Sequence, residues 1–134
     1  MPELEHDTAL VRAFIAAERR DRYLGLLASA RGREKLRRSL AHCRDLDMRF
    51  AHELPHGVHT PTAIAELLRT KGAPAECVLL SESDALDGRR LPLEEALSAI
   101  LGRGMGTLVS CVPGRLGFYE GEGPRERYLL EREA

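Results

Sequence analysis

Residues 106–131 read GTLVSCVPGRLGFYEGEGPRERYLLE and contain three apolar segments separated by turn residues. The segments are Gly106–Val112, Leu116–Glu120 and Arg127–Glu131. Pro113-Gly114 joins the first two and Gly121-Glu122-Gly123-Pro124 joins the last two, and proline and glycine at such positions are typical of tight turns. Connections this short favour antiparallel pairing of neighbouring strands, so the stretch predicts a three-stranded antiparallel meander.

The residues upstream of the meander predict one more strand and two helices. Cys77–Ser81 is a short apolar run of the kind that forms a buried strand. Thr60-Pro61 is typical of an N-cap followed by the first helical residue, and Gly72 is expected to end that helix. A second helix is predicted to open at Pro92 and to stop at Gly102.

Helical periodicity dominates the N-terminal third of the chain. Asp7 or Thr8 is a candidate cap for a first helix, and Ser29 is a candidate cap for a helix over about residues 30–42. In the latter helix, Leu36 and Leu40 recur at the spacing of a buried seam. Its basic side chains are therefore expected to face solvent, and these are Arg33, Lys35, Arg37 and Arg38.

Together these elements predict an α+β fold. A helical N-terminal layer packs on a small, mostly antiparallel C-terminal sheet of about four strands, and two further helices complete the fold. At 134 residues the chain has the usual length of one domain, 1–134, with a helical part over about 7–51 and a strand-rich part over about 75–132. His52–His59 contains Pro55 and Gly57 and is expected to be the loop that joins the two parts.

The composition is typical of a folded cytoplasmic protein. Hydrophobic residues make up 43% and charged residues 31% of the chain, and no apolar run reaches the roughly 18 residues of a membrane-spanning helix. The first residues are acidic, whereas a secretory signal begins with basic ones. The 3 cysteines are widely spaced, which favours reduced core thiols over a disulfide framework. We therefore expect a cytoplasmic location and no membrane partner.

The formal net charge of −1 conceals a basic region at residues 19–49. That region holds ten basic residues against four acidic ones. Because arginine binds phosphate and carboxylate groups bidentately, the region predicts a small non-catalytic binding or regulatory domain. The candidate partners are nucleic acid, an acidic protein and a second copy of the chain in a homodimer. The residues predicted to bind are Arg33, Arg37, Arg38, Arg44, Arg49 and Arg115.

Histidines and aspartates between residues 42 and 59 support an alternative function, that of a small metal-assisted phosphodiester hydrolase. Neutral histidine serves as a general base and paired carboxylates hold Mg²⁺. No spacing matches a metal motif, because Pro55 disrupts the helix that would place His52 and His56 on one face. The sequence therefore assigns no metal ligand or cofactor and leaves open whether the protein is an enzyme. The candidate catalytic residues are His42, Asp45, Asp47 and His52.

Asp45 and Asp47 also have a structural interpretation. Asp45 is a candidate cap for a short helix running through Met48, and the neighbouring Arg44 and Arg49 are able to neutralise both acids. In this interpretation the two carboxylates stabilise the fold and hold no metal.

Other residue sets have both a functional and a structural interpretation. Ser110-Cys111 lies next to a turn but lacks the surroundings of a nucleophile, so Cys111 is expected in the core. Phe118 and Tyr128 are able to stack on an unpaired base, or to fill the core. A small-ligand site between the first strand and the meander is a third functional hypothesis, with Ser81, Asp84, Arg115 and Glu120 as its contacts.

Overall fold

The computed structural model describes residues 2–123 and 125–133 of the chain. This part contains five α-helices and six β-strands. The helices are α1 (Pro2–Phe14), α2 (Arg20–Leu27), α3 (Ala30–Arg38), α4 (Pro61–Thr70) and α5 (Leu93–Ile100). The strands are β1 (Ala51–His52), β2 (Glu76–Ser81), β3 (Arg90–Pro92), β4 (Thr107–Val112), β5 (Leu116–Glu120) and β6 (Arg127–Glu131). Short 3-10 helices cover Ala17–Arg19 and Leu40–His42. Pro124, which belongs to the second predicted turn, lies outside the described residues.

The strands form one antiparallel sheet in the order β1-β6-β5-β4-β2-β3. The predicted meander is confirmed, since β4 pairs with β5 and β5 pairs with β6, which places Phe118 between Val109 and Leu129. The α+β class is also confirmed, but the sheet has six strands where about four were predicted. The additional strands β1 and β3 span only 2 and 3 residues and form the edges. Segments this short do not show strand periodicity.

Helices cover both faces of the sheet. Because side chains alternate along a strand, one set of buried residues packs with α1, α2 and α3, and these are Leu80, Leu108, Tyr119 and Leu130. The neighbouring residues pack with α4 and α5 on the other face, and these are Leu79, Val109, Phe118 and Leu129. Since both faces are buried, β2 reads as a continuous apolar run and not as an alternating one.

The caps confirm two of the predicted helix starts. Thr60 Oγ1 accepts a hydrogen bond from the backbone N–H three residues later at 3.1 Å, and Ser29 Oγ does the same at 3.0 Å. The start of α1 was predicted wrongly, because α1 begins at Pro2 with Asp7 in its middle. The start predicted at Pro92 is off by one residue, because Pro92 is the N-cap of α5. Across residues 2–123 and 125–133, no helix has the length and apolarity needed to cross a membrane.

Arg33 and Arg37 lie at the edge of the core, which corrects the expectation that both face solvent. Their side chains are only 22% and 14% exposed, against 77% for Arg38. The reason is the helical period, which places positions 33, 36 and 37 on one face of α3. Arg33 and Arg37 therefore flank the buried Leu36, and they extend toward the loop that follows β2.

Arg33 links that loop to α1. It donates two hydrogen bonds of 3.0 Å to Asp87 and a third to Asp7, which is 1% exposed. Arg37 donates to Asp84 at 2.6 Å and lies 3.4 Å from Asp87. Burial raises the pKa of Asp7 above its ordinary value, although the hydrogen bond from Arg33 acts in the opposite direction. Carboxylates from distant parts of the chain thus neutralise both arginines.

Replacing Asp7 with asparagine is expected to change how stability depends on pH. Because the folded-state pKa of Asp7 lies above its ordinary value of 3.8, the folded protein holds this proton more tightly than the unfolded chain does. The stability that Asp7 contributes is therefore fully present below pH 3.8 and is lost as the pH rises through the folded-state pKa. Urea denaturation across this range should show the free energy of unfolding of the wild type falling relative to that of Asp7→Asn. A rise of the wild type relative to the variant would mean that Arg33 outweighs burial.

Two glycines allow the backbone of the helical layer to approach its neighbours closely. A Cβ on Gly32 in α3 would lie 2.3 Å from the carbonyl oxygen of Leu26 in α2. A Cβ on Gly106 would lie 2.0 Å from the carbonyl carbon of Leu40. Contacts this short exclude a side chain. The glycines therefore set the spacing between α2 and α3 and dock the Leu40–His42 3-10 helix beside β4.

Candidate anion-binding site

Ion pairs within the fold divide the basic residues of region 19–49 into two groups. Six of them pair with aspartate or glutamate, and these are Arg19, Arg20, Arg33, Arg37, Arg38 and Arg49. Among the described residues the other four form no ion pair, and these are Arg22, Arg31, Lys35 and Arg44. The charge of the first group is already balanced inside the fold, so the second group carries the positive charge left for an anionic partner.

Three of the four unpaired cations line one pocket of about 250 Å³. Arg22 comes from α2, Lys35 from α3, and Arg44 from the segment that follows the second 3-10 helix. The remaining walls are polar or apolar side chains and one carboxylate, namely Tyr23, Leu26, Leu36, Ser39, His42, Cys43 and Asp45. We call this the basic pocket. Three elements contribute one cation each, so their charges converge on one space.

Tyr23 holds Asp45 against the wall of the basic pocket. The Tyr23 hydroxyl donates a hydrogen bond of 2.7 Å to Asp45 Oδ2, and Arg19 lies 3.7 Å from Oδ1. Burial and the hydrogen bond to Asp45 raise the pKa of Tyr23, so the hydroxyl stays protonated and remains a donor. The Asp45 charge is thus partly offset by groups that already bind it, and the pocket keeps an excess of positive charge.

Tyr119 fixes the backbone that carries His42 and Cys43. Its hydroxyl donates to the carbonyl oxygen of Leu40 and accepts a hydrogen bond from Cys43 N at 3.2 Å. Burial raises the pKa of Tyr119, which keeps this hydroxyl protonated as well. The sheet thereby positions the segment that follows the second 3-10 helix.

Tyr119→Phe is expected to lower the free energy of unfolding by about 1–2 kcal/mol, because it leaves buried backbone groups of Leu40 and Cys43 without their partner. Tyr128→Phe is the matched control, since the Tyr128 hydroxyl forms no hydrogen bond among the described residues. Its effect should stay within about 0.5 kcal/mol. Urea denaturation of both variants measures the difference, and equal effects would contradict the positioning role of Tyr119.

A second pocket of about 310 Å³ shares the wall formed by His42, Cys43 and Arg44. Its other lining residues are mostly apolar or aromatic, namely Leu46, Met48, Tyr119, Glu126 and Tyr128. We call this the aromatic pocket. The rings of Tyr119 and Tyr128 are stacked with centroids 6.4 Å apart. Met48 is 57% exposed, so an apolar side chain is left open to solvent beside the basic pocket.

The four predicted catalytic residues do not form one site. Asp47 accepts hydrogen bonds of 3.0 and 2.8 Å from Arg49, which lower its pKa, and Arg20 lies 3.5 Å away. His42 contacts the Glu122 carboxylate, and His52 is exposed on β1. Across the described part of the chain, no hydrogen bond or ion pair joins any two members of the predicted set of four.

The surroundings of the aspartates match the ion-pair interpretation, with one difference. Asp45 pairs with Arg19 and not with Arg44. The helix that Asp45 was expected to cap is absent from the described residues, because Asp47–Phe50 forms a turn closed by a 3.0 Å backbone hydrogen bond. Within residues 2–123 and 125–133, no group of three or more His, Cys, Asp or Glu side chains is arranged to hold a metal ion.

The hypothetical small-ligand residues do not form one open site. Ser81 is buried and bonds to Thr107 at 2.8 Å, and the buried Glu120 bonds to Arg127 at 2.7 Å. Arg115 borders a separate open groove of about 780 Å³ beside α1. These contacts occupy Ser81 and Glu120 inside the fold, so the structure brings no such site together.

Ser110 and Cys111 both lie in the protein interior. Ser110 Oγ is 2.7 Å from His6 Nδ1, but the serine is only 1% exposed. Burial raises the pKa of Cys111. The expectation that Cys111 is a core residue is confirmed.

Comparison with known proteins does not identify a relative. No protein-family model, curated protein or solved structure matches the chain. The chemistry of the site therefore follows from its own geometry. Two guanidinium groups and one ammonium around a small pocket are able to hold a phosphate or carboxylate group.

Proposed function

We propose that the chain is a small non-catalytic binding domain that holds an anionic group of a partner in the basic pocket. The observation that carries the proposal is the convergence of Arg22, Lys35 and Arg44, which form no ion pair within the described residues. Nucleic acid, an acidic protein and the acidic surface of a second copy all present such a group. Arginine provides planar, bidentate donors for it, and lysine adds a point charge.

The physical basis of the proposal is the balance of charge in the pocket. Three cations face one carboxylate, Asp45, which is already bound by Tyr23 and Arg19. Like charges gathered in a concave site repel one another and attract counter-ions. An anionic group relieves that repulsion, so we expect binding that weakens as salt screens the charges.

The experiment is a fluorescence-anisotropy titration of three labelled probes across salt: mixed-sequence single-stranded DNA, mixed-sequence RNA and a glutamate-rich peptide. The triple variant Arg22→Ala/Lys35→Ala/Arg44→Ala is expected to bind at least about tenfold more weakly. For the nucleic acids its log–log salt slope should fall by about 2 units, the value for three lost contacts to a single strand. Analytical ultracentrifugation of the same proteins tests association with a second copy.

Arg31→Ala is the matched control for this titration. Arg31 lies in α3, is exposed and forms no ion pair among the described residues, but it does not line the pocket. Its removal lowers the net charge without changing the site, so affinity should fall only slightly. The proposal fails if Arg31→Ala weakens binding as much per charge as the triple variant does. It also fails if no probe binds at low salt and the chain stays monomeric.

A further inference from the structure

The two pockets differ in the chemistry they offer to a ligand. The basic pocket presents cations, whereas the aromatic pocket presents the Tyr128 ring and the thioether of Met48. They share His42, Cys43 and Arg44 and are therefore neighbours, so a ligand that passes over this shared wall is able to contact both. Such a ligand carries its negative charge at one end and a flat, largely apolar group at the other.

The carboxylate of Glu126 adds to the difference in charge between the two pockets. It lines the aromatic pocket, where it lies 3.9 Å from His42 Nδ1, and does not line the basic pocket. The aromatic pocket thus sets one carboxylate against Arg44 alone, whereas the basic pocket sets Asp45 against three cations, so an anionic group is held more strongly in the basic pocket. A heterocycle with N–H donors, in contrast, is compatible with a nearby carboxylate, which is a hydrogen-bond acceptor.

We infer that the occupant is a nucleotide unit of a single-stranded nucleic acid, with its phosphate in the basic pocket and its base against Met48 and Tyr128. The inference rests on the proposed function and names its partner. A phosphate joined to a flat base matches both pockets at once. An acidic peptide matches only the first pocket, because aspartate and glutamate carry no flat group beside the carboxylate. A single strand is required because a paired base is stacked inside its duplex.

The test compares two labelled oligonucleotides of equal length, one of thymidine units and one of abasic units. Both carry the same number of phosphates, so any difference in affinity measures the base. The thymidine oligonucleotide is expected to bind about 5- to 150-fold more tightly, the range for stacking one base on an aromatic side chain. Met48→Ser should reduce this ratio. Met105→Ser is its control, since Met105 is also exposed but lines neither pocket.

The outcomes separate this inference from the proposed function. Equal affinity for both oligonucleotides, lost in the triple variant, would overturn the inference and leave the anion-binding function standing. Tighter binding of the glutamate-rich peptide than of the thymidine oligonucleotide would do the same and would identify an acidic protein as the partner. The absence of binding by all probes would overturn the inference, and it would remove the proposed function as well if the chain also stays monomeric.

Alkylation of Cys43 gives an independent readout of the same site. Cys43 lines both pockets, whereas Cys77 and Cys111 are buried on the sheet face that packs with α4 and α5. Burial raises the pKa of the Cys43 thiol, so iodoacetamide is applied at alkaline pH. The thymidine oligonucleotide at saturation is expected to slow alkylation of Cys43 in the wild type. An unchanged rate would overturn the inference, because a ligand in these pockets covers the thiol.

Discussion

Arg33→Ala is expected to lower the free energy of unfolding by about 3–5 kcal/mol, the cost of breaking a buried ion pair by removing one partner. The variant leaves the buried Asp7 without its cation and removes two hydrogen bonds from Asp87. It also separates α1 from the loop that follows β2, because Arg33 bridges the two. Urea denaturation at neutral pH measures the loss.

Arg38→Ala is the control for that experiment. Arg38 lies in the same helix and pairs with Glu34 at 2.7 Å, but both side chains are mostly exposed. Its removal should cost no more than about 1 kcal/mol. The double variant Asp7→Asn/Arg33→Ala should recover part of the loss, since it no longer buries an uncompensated carboxylate. A cost for Arg33→Ala equal to that of Arg38→Ala would contradict the role of Arg33 as a buried link.

Gly32→Ala is expected to lower the free energy of unfolding by about 2–3 kcal/mol, within the range for overpacking a filled interior. The new Cβ would lie 2.3 Å from the carbonyl oxygen of Leu26 and 2.9 Å from its Cα, so the backbones of α2 and α3 must separate. Since Arg22 and Lys35 come from these two helices, binding of anionic probes should weaken in the same variant. Denaturation and anisotropy measure the two effects.

Gly25→Ala is expected to raise the free energy of unfolding, in contrast to Gly32→Ala. Gly25 lies in α2, and a Cβ there meets no atom within 4 Å. Alanine in an exposed helix stabilises by about 0.5–1 kcal/mol relative to glycine, because the unfolded chain has fewer conformations to lose. A stabilising change at Gly25 and a destabilising one at Gly32 would show that only the second glycine is required for close packing. Equal effects would contradict this.

The sequence was sufficient for the parts of the fold that are determined locally. Turn residues and apolar runs predicted the meander. Thr60 and Ser29 were predicted as helix caps and are the N-caps of α4 and α3. The start of α1 was missed because Asp7 is an ordinary cap residue in a local pattern, whereas its buried position depends on Arg33. The edge strands were missed because pairing with distant neighbours, and not periodicity, makes them strands.

The candidate site was predictable only in part. Of the six arginines predicted to bind, only Arg44 lines the basic pocket, because intramolecular carboxylates occupy four others and Arg115 lies beside α1. Lys35 had a local signal, since no acidic residue lies three or four positions away on its helix. Arg22 had none, because Glu18 lies four positions before it. Whether a basic side chain forms an ion pair depends on residues that are distant in sequence, and spacing along the chain does not predict such pairs.

The order in which the elements occur along the chain has a consequence for folding kinetics. The helices α1 to α3 pack on a sheet face made by strands that all come later, and β1 pairs with β6 across most of the chain. Contacts of such long sequence separation form slowly, since loop-closure entropy is lost before they stabilise the fold. We therefore expect the helical layer to remain loosely packed until β5 and β6 have paired. Both pockets are then expected to form only after β5 has paired, because Tyr119 on β5 positions the segment His42–Arg44 that lines both.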